Sequence, residues 1–152
     1  MELIDLPRHQ SESLLRSGTA GRVAMCSLEG PYVVPVNYSV VDESVVIRTT
    51  EDSFLATHAQ GAILALEVDQ FDYENHRGWS VVARGTAHRI NDLRELEHVL
   101  AMWEPRTWAD GPRTAFIKFP WQDLTGKRLG SGWSIEENLL VNRRAPLGAQ
   151  YT

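Results

Sequence analysis

The alternation of apolar and polar residues along the chain predicts mainly β-strands. Residues 32–41 show it most clearly, because every second side chain from Tyr32 to Val40 points to one face and the others point away. Similar runs rich in β-branched residues predict strands at 22–28, 32–41, 44–50, 62–70, 78–90, 113–119 and 124–129. The connections at 29–31 and 42–43 are short enough for hairpins. The chain is therefore expected to form an antiparallel sheet.

Three short helices are predicted between the strands. The first covers residues 7–17, and the second covers residues 52–60. The third follows Asp92, which forms a capping box with Glu95, and it ends at Pro105. Its predicted buried stripe consists of Leu93, Leu96, Leu100 and Trp103.

The positions of proline and glycine favour a barrel over a flat sandwich. Pro35 and Gly85 fall inside predicted strands, where a bend, a bulge or an edge is needed. Six or seven strands with only short helices between them are typical of such a barrel. The barrel domain is predicted to cover residues 1–129. Residues 130–152 have little periodicity and are predicted to be a C-terminal tail, for which a partner subunit is one candidate packing surface.

Composition and charge narrow the function classes. The 152 residues fit one domain, and 43% of them are apolar, which is enough for a core. The net charge of −5, with no Lys/Arg run longer than two, argues against nucleic-acid and anionic-membrane binding. With Cys26 as the only cysteine, an intramolecular disulfide and a thiolate zinc site are excluded. Since we find no signal-peptide pattern and no long apolar run, we expect a cytoplasmic protein.

The segment from Arg48 to Ser53 is the first candidate for ligand chemistry. A strand ends there, two threonines follow, and Ser53 stands at a predicted helix start. Unpaired N–H groups at a helix start attract anions, and Arg48 adds a bidentate phosphate donor. In the alternative interpretation, Ser53 only caps the helix, while Glu51 and Asp52 repel an anion.

The strand at 35–38 is the second candidate, because a flat heteroaromatic ring needs an apolar wall and backbone donors and acceptors along its edge. Trp79 could add a stacking surface, although both features also fit an ordinary strand and a core tryptophan. Among the five tryptophans, at least one is expected to line a pocket or a dimer contact. Glu67 and Asp69 share a strand face and suit either an acid/base pair or a solvated face. The histidines show no metal spacing, so no metal site and no catalytic residue are assigned.

Three segments, taken in order, resemble a known family. They are Pro-Val-Asn-Tyr at 35–38, Arg-Thr-Thr at 48–50 through Ser53, and Leu-Glu-Val-Asp at 66–69 followed by Gly-Trp-Ser-Val at 78–81 and Arg-Gly-Thr-Ala at 84–87. With these motifs, residues 10–129 resemble the pyridoxamine 5'-phosphate oxidase-like family of FMN-binding split β-barrels. Within that family the chain is most similar to the small members that resemble nitroimidazole-resistance proteins.

The resemblance implies a six- or seven-stranded antiparallel split β-barrel that works as a homodimer, with FMN in a groove between the subunits. The flavin ring would lie against residues 35–38, and Trp79 of the second subunit would approach it. The phosphate would contact Arg48, Thr49 and Ser53. The full set of cofactor-binding residues that the resemblance implies is Pro35, Val36, Asn37, Tyr38, Arg48, Thr49, Thr50, Ser53, Phe54 and Trp79.

One position departs from the family pattern. The family commonly carries a basic residue where this chain has Phe54. The loss of a charge-assisted hydrogen bond to the phosphate costs roughly 1.5–3 kcal/mol. We therefore expect weakened FMN binding, which Phe54→Lys should tighten, or a different ligand in the groove.

The function that the resemblance implies is that of an FMN-dependent oxidoreductase acting on a small molecule. The cofactor would supply the hydride or electron transfer, and the protein would supply orientation without a covalent intermediate. The alternatives are a non-catalytic flavin or haem binding protein, and a nitroreductase that uses flavin or a deazaflavin coenzyme.

Overall fold

The structure of the chain, a computed structural model, describes residues 2–103, 108 and 111–135. Its strands are β1 (Leu3–Asp5), β2 (Ala20–Ser27), β3 (Gly30–Val41), β4 (Ser44–Thr49), β5 (Ile63–Asp72), β6 (Arg77–Thr86), β7 (His88–Arg89), β8 (Ala115–Pro120) and β9 (Asp123–Leu129). Its helices are α1 (Arg8–Ser17), α2 (Phe54–His58) and α3 (Leu93–Trp103). Within these described residues, no helix is both long and apolar enough to span a lipid bilayer.

The nine strands form one sheet in the order β1-β9-β6-β5-β2-β3-β4-β8-β7. Every neighbouring pair is antiparallel. The outermost strands β1 and β7 do not pair with each other, so the sheet is not closed. The predicted fold class, a mainly β antiparallel split barrel, is confirmed. The strand count exceeds the predicted six or seven because β1 and β7 are only three and two residues long, too short to show a periodicity.

The long strand β3 changes partners halfway along its length, and this change creates the split. Its first half pairs with β2, ending at the pair Ala20↔Asn37. Its second half pairs with β4, starting at the pair Tyr38↔Ile47. Among the described strands, none pairs with the other edge of the first half of β3. Pro35 lies on this stretch, where its missing N–H removes no ladder hydrogen bond.

The predicted single strand at 78–90 is divided between β6 and β7, and Gly85 stands at the crossing. A Cβ atom on Gly85 would lie 2.0 Å from the carbonyl oxygen of Pro120, so only glycine fits there. After Thr86 the chain leaves β5 and pairs with β8, where His88 stands opposite Lys118. Gly85 was predicted to mark a bend, and the structure shows that it allows two backbones to approach closely. The alternation of apolar and polar residues along a strand cannot reveal such a contact.

The core lies between the inner face of the sheet and α1. Leu14 and Leu15 of α1 are fully buried against it. The buried Tyr38 hydroxyl donates to the carbonyl oxygen of Leu15 at 2.5 Å, which ties the middle of β3 to the helix. This contact fixes β3 at the point where it changes partners.

The helix α3 covers a second, smaller cluster, and its buried face differs from the predicted stripe. Val99 is fully buried and Leu96 packs beside it, whereas Leu93 and Leu100 are exposed. Asp92 caps the helix by accepting from the N–H of Arg94 at 3.1 Å. The Glu95 carboxylate pairs with His88 at 2.9 Å instead of completing the predicted capping box. Pro105 and the side chain of Trp103 lie outside the described residues.

The first residues of the predicted C-terminal tail pack on the barrel of the same chain. The centroid of the Trp133 ring lies 5.7 Å from the guanidinium group of Arg77 and 5.1 Å from that of Arg128. Ile135 is buried in the main core. Residues 136–152 of the predicted tail lie outside the described residues.

Candidate functional site

A cleft of about 370 Å³ opens where β3 and β4 separate. Its walls come from β3, from the end of β4, from the start of α2 and from the connection between α3 and β8. The lining residues are Ala20, Tyr32, Val34, Pro35, Val36, Asn37, Arg48, Thr49, Thr50, Ser53, Leu55, Trp108 and Arg113. We refer to this set as the cleft. It contains most of the sequence-predicted site residues.

One wall of the cleft is apolar. Tyr32, Val34 and Val36 line it from the inward face of β3, and Leu55 joins them from α2. Tyr32, Val34 and Val36 are partly buried against the main core, and Leu55 belongs to it. A flat apolar ligand would find a continuous surface on this wall.

The unpaired edge of β3 also faces the cleft. The Tyr38 N–H donates to the carbonyl oxygen of Thr19 at 3.0 Å. Since hydrogen-bonding directions alternate along an antiparallel ladder, the Pro35 carbonyl points away from β2 and toward the cleft. This carbonyl offers an acceptor beside the apolar wall.

The opposite part of the cleft carries two basic residues, Arg48 and Arg113. Arg48 Nε donates to the carbonyl oxygen of Arg113 at 2.6 Å, and the Arg48 guanidinium lies 5.3 Å from the centroid of the Phe116 ring. These contacts hold the Arg48 head in place. Together with the hydroxyls of Thr49 and Thr50, the two guanidinium groups would attract an anion.

The neighbouring acidic residue Glu51 does not line the cleft. Thr114 Oγ1 donates to its carboxylate at 2.8 Å, and Arg89 Nη2 donates to its other oxygen. The hydrogen bond from Thr114 and the contact with Arg89 lower the pKa of Glu51 below its ordinary value. The carboxylate therefore stays ionised, but its charge is paired outside the cleft.

Ser53 lines the cleft and also caps α2. Its Oγ accepts from the N–H of Ala56 at 3.0 Å, as the capping interpretation predicts. Because α2 has only five residues, its dipole adds little attraction for an anion. The hydroxyl hydrogen of Ser53 can still donate to a ligand, since capping uses only its oxygen.

Three predicted site residues are not part of the cleft lining, and the first is Phe54. Its ring stacks between those of Tyr32 and His58, with centroid distances of 4.4 Å and 4.2 Å. A lysine at this position would lose both ring contacts. Any gain in phosphate binding from Phe54→Lys therefore has to exceed that loss.

Tyr38 and Trp79 are also absent from the lining. Tyr38 lies beyond the split, with its hydroxyl engaged by Leu15. Trp79 is only 2% exposed and belongs to the main core. An indole buried to this extent offers no stacking surface to a ligand held by another subunit.

Trp108 and Arg113 are the functional candidates that the sequence did not single out. The backbone N–H of Trp108 donates to Asn37 Oδ1 at 2.9 Å, although the two residues are 71 positions apart in the chain. The only sequence signal was the number of tryptophans, which predicted that at least one lines a pocket or a dimer contact. It could not tell which.

The carboxylates of Glu67 and Asp69 share one face of β5, as predicted, but they lie outside the cleft lining. Both accept from Arg22 Nη1, at 2.8 Å and 2.9 Å. Burial raises the pKa of Glu67, and the nearby Asp69 adds to the effect. In the described residues, no cluster of histidine, cysteine and acidic side chains could hold a metal ion.

Comparison with known proteins identifies a family model and a relative that match this chain. Residues 7–128 match the family model described as pyridoxamine 5'-phosphate oxidase. The chain is 29% identical to an uncharacterized protein of Mycobacterium tuberculosis over 133 residues, which is 84% of this chain and 86% of that protein.

Two solved structures from Mycobacterium smegmatis share the fold. An FAD binding protein superposes with a TM-score of 0.68 at 26% identity, covering 82% of this chain and 96% of the other. An FAD and haem binding protein superposes with a TM-score of 0.65 at 20% identity, covering 91% and 79%. With the family model matched from α1 to β9, the chain belongs to the pyridoxamine 5'-phosphate oxidase family.

Proposed function

We propose that the chain binds FMN in the cleft and uses it to transfer a hydride or electrons to a small molecule. The observation that carries this proposal is the division of the cleft into an apolar wall with a carbonyl edge and a cationic part with hydroxyls. FMN has the matching division, with a flat ring at one end and a phosphate at the other. The structural neighbour described as an FAD binding protein supports a flavin.

Each part of the cleft would have a separate task. Arg48, Thr49 and Thr50 would bind the phosphate, and Arg113 would add a second guanidinium group. The inward side chains of β3 would exclude water from one face of the ring. The Pro35 carbonyl would accept a hydrogen bond from the edge of the ring and so fix its orientation.

The bound flavin would supply the redox chemistry, and this chain would bind and orient it. The described lining of the cleft contains no carboxylate, histidine or cysteine that could act as a general acid or base. A general acid or base from the cleft is therefore not part of the proposal.

Haem is the second candidate ligand, because one structural neighbour is described as an FAD and haem binding protein. Haem iron is usually held by histidine, cysteine, methionine or tyrosine. Of these, the described lining of the cleft contains only Tyr32. The donor set therefore favours flavin over haem.

The absorption spectrum of the purified protein, before and after titration with FMN, tests the ligand. We expect flavin bands near those of free FMN, with a shift on binding, and no Soret band. Anaerobic mixing of the FMN complex with NADH or NADPH then separates an enzyme from a carrier. In an enzyme, the nicotinamide should reduce the bound flavin rapidly and bleach its absorption, whereas in a carrier the absorption should persist. A Soret band, or no binding of any flavin, would overturn the proposal. Nitro compounds and a deazaflavin coenzyme serve as further acceptors and donors in the same assay.

We further propose that two copies of the chain pair through the outer face of β3, β2 and β5. Val33 and Ile63 are 62% and 66% exposed on this face. Ala24 lies between them, opposite Val33 on one side and Ala65 on the other. An exposed apolar patch of this kind, bordered by the Arg22–Glu67 ion pair, is typical of an interface, and Pro35 on the same face of β3 also lines the cleft.

Val33→Asp is expected to convert the dimer into monomers, since a carboxylate would lose its hydration in the interface. Light scattering after size-exclusion chromatography measures the mass. Leu93→Asp is the matched control, because Leu93 is 67% exposed on α3, away from this face. A chain that is monomeric before mutation, or dimers that survive Val33→Asp, would contradict this pairing.

A further inference from the structure

Trp108 reaches the cleft from a distant part of the chain and is unusually exposed. Its relative exposure is 71%, although an indole is the largest apolar side chain. It lines the cleft together with the strand wall of β3. Burial of such a ring against a flat ligand would remove a large apolar area from water.

The position of Trp108 is set by Asn37 on β3. Asn37 Oδ1 accepts from the backbone N–H of Trp108 at 2.9 Å, and Asn37 Nδ2 donates to the carbonyl oxygen of Thr19 at 3.3 Å. The two ends of the Asn37 amide on β3 therefore contact Thr19, just before β2, and the Trp108 backbone. Since both ends are used by the protein, Asn37 is better suited to holding Trp108 than to contacting a ligand itself.

We propose that Trp108 stacks on the ring of the bound flavin and that Asn37 is the residue that positions it there. This inference rests on the proposed function. One face of the ring would lie on Val34 and Val36, and the indole would cover another part of the ring. Aromatic stacking needs no particular substituents on the ring, so FMN and riboflavin should gain from it equally.

The first test compares FMN with riboflavin, which has the same ring and no phosphate. Trp108→Ala is expected to raise the dissociation constants of both ligands by about tenfold. Tyr73→Ala is the matched control, because Tyr73 is 84% exposed and outside the cleft lining. It should change neither constant. Thermal unfolding of each variant shows whether the fold is kept.

The second test separates a positioning role of Asn37 from a direct one. Asn37→Ala is expected to weaken FMN binding by about fivefold in the natural chain and to have no effect when Trp108 is already alanine, because the two residues act through one contact. The difference in fluorescence between the natural chain and Trp108→Phe reports on the indole. FMN should quench that difference, and Asn37→Ala should reduce the quenching.

The outcomes distinguish this inference from the function on which it rests. If the natural chain binds neither FMN nor riboflavin, the proposed function fails and the stacking role fails with it. If both flavins bind and Trp108→Ala changes neither constant by twofold, only the stacking role is overturned. If Asn37→Ala is equally harmful with and without Trp108, its positioning role is overturned.

Discussion

Arg48→Ala is expected to weaken FMN binding by roughly tenfold to a hundredfold and to leave riboflavin binding almost unchanged. The reason is that a hydrogen bond to a charged group is worth more than one to a neutral group, and only FMN carries the phosphate. The neighbouring carboxylate of Glu51 is engaged by Arg89 and Thr114 and lies outside the cleft lining. Isothermal titration with the two ligands measures both constants.

Arg89→Ala is the control for this experiment. It removes the same charge from the same region, but Arg89 pairs with Glu51 and is outside the cleft lining. We expect at most a small change in FMN affinity. If Arg48→Ala weakens FMN and riboflavin equally, Arg48 acts by supporting the cleft through the Arg113 carbonyl, and the proposed phosphate contact is wrong.

Gly85→Ala is expected to lower the free energy of unfolding by about 3 kcal/mol, because inserting a methyl group into a packed site forces backbone shifts. The added carbon would meet the Pro120 carbonyl oxygen at 2.0 Å and its carbonyl carbon at 3.0 Å. Backbone atoms cannot move aside as a flexible side chain can. The cost should therefore appear as a lower midpoint in urea unfolding.

Thr86→Ala is the matched control for Gly85→Ala, since Thr86 is the next residue and its side chain is exposed. It should change the free energy of unfolding by less than about 0.5 kcal/mol. A loss below about 1 kcal/mol for Gly85→Ala would mean that β6 and β8 can separate without disturbing the rest of the sheet.

The strands could be predicted from the sequence because their information is local. The alternation in β3 determines which side chains face the core, and the hairpin connections determine that neighbours run antiparallel. The division of β6 from β7 could not be predicted, since it depends on the contact of Gly85 with Pro120, far along the chain. The prediction of the buried face of α3 was also wrong. Leucines occur on more than one side of this helix, and its packing against β3 determines which side is buried.

In the candidate site, too, the residues close together in sequence could be predicted, and those brought in by long-range contacts could not. The residues at 35–37 and 48–50 were found because each group is contiguous and the hairpin brings them together. Trp108 and Arg113 were missed because their contacts with Asn37 and Arg48 span 71 and 65 residues. Trp79 was placed near a ligand from its position at the start of a strand and from the family resemblance, whereas the structure buries it in the core.

The change of partners in β3 has a mechanical consequence. The β3–β4 register ends at Tyr38 and Ile47, so the β3 wall of the cleft has no ladder hydrogen bonds to β4. The Tyr38 hydroxyl, bonded to Leu15, holds β3 at that junction. The two walls of the cleft are therefore supported by separate ladders, the β3 wall by β2 and the β4 wall by β8.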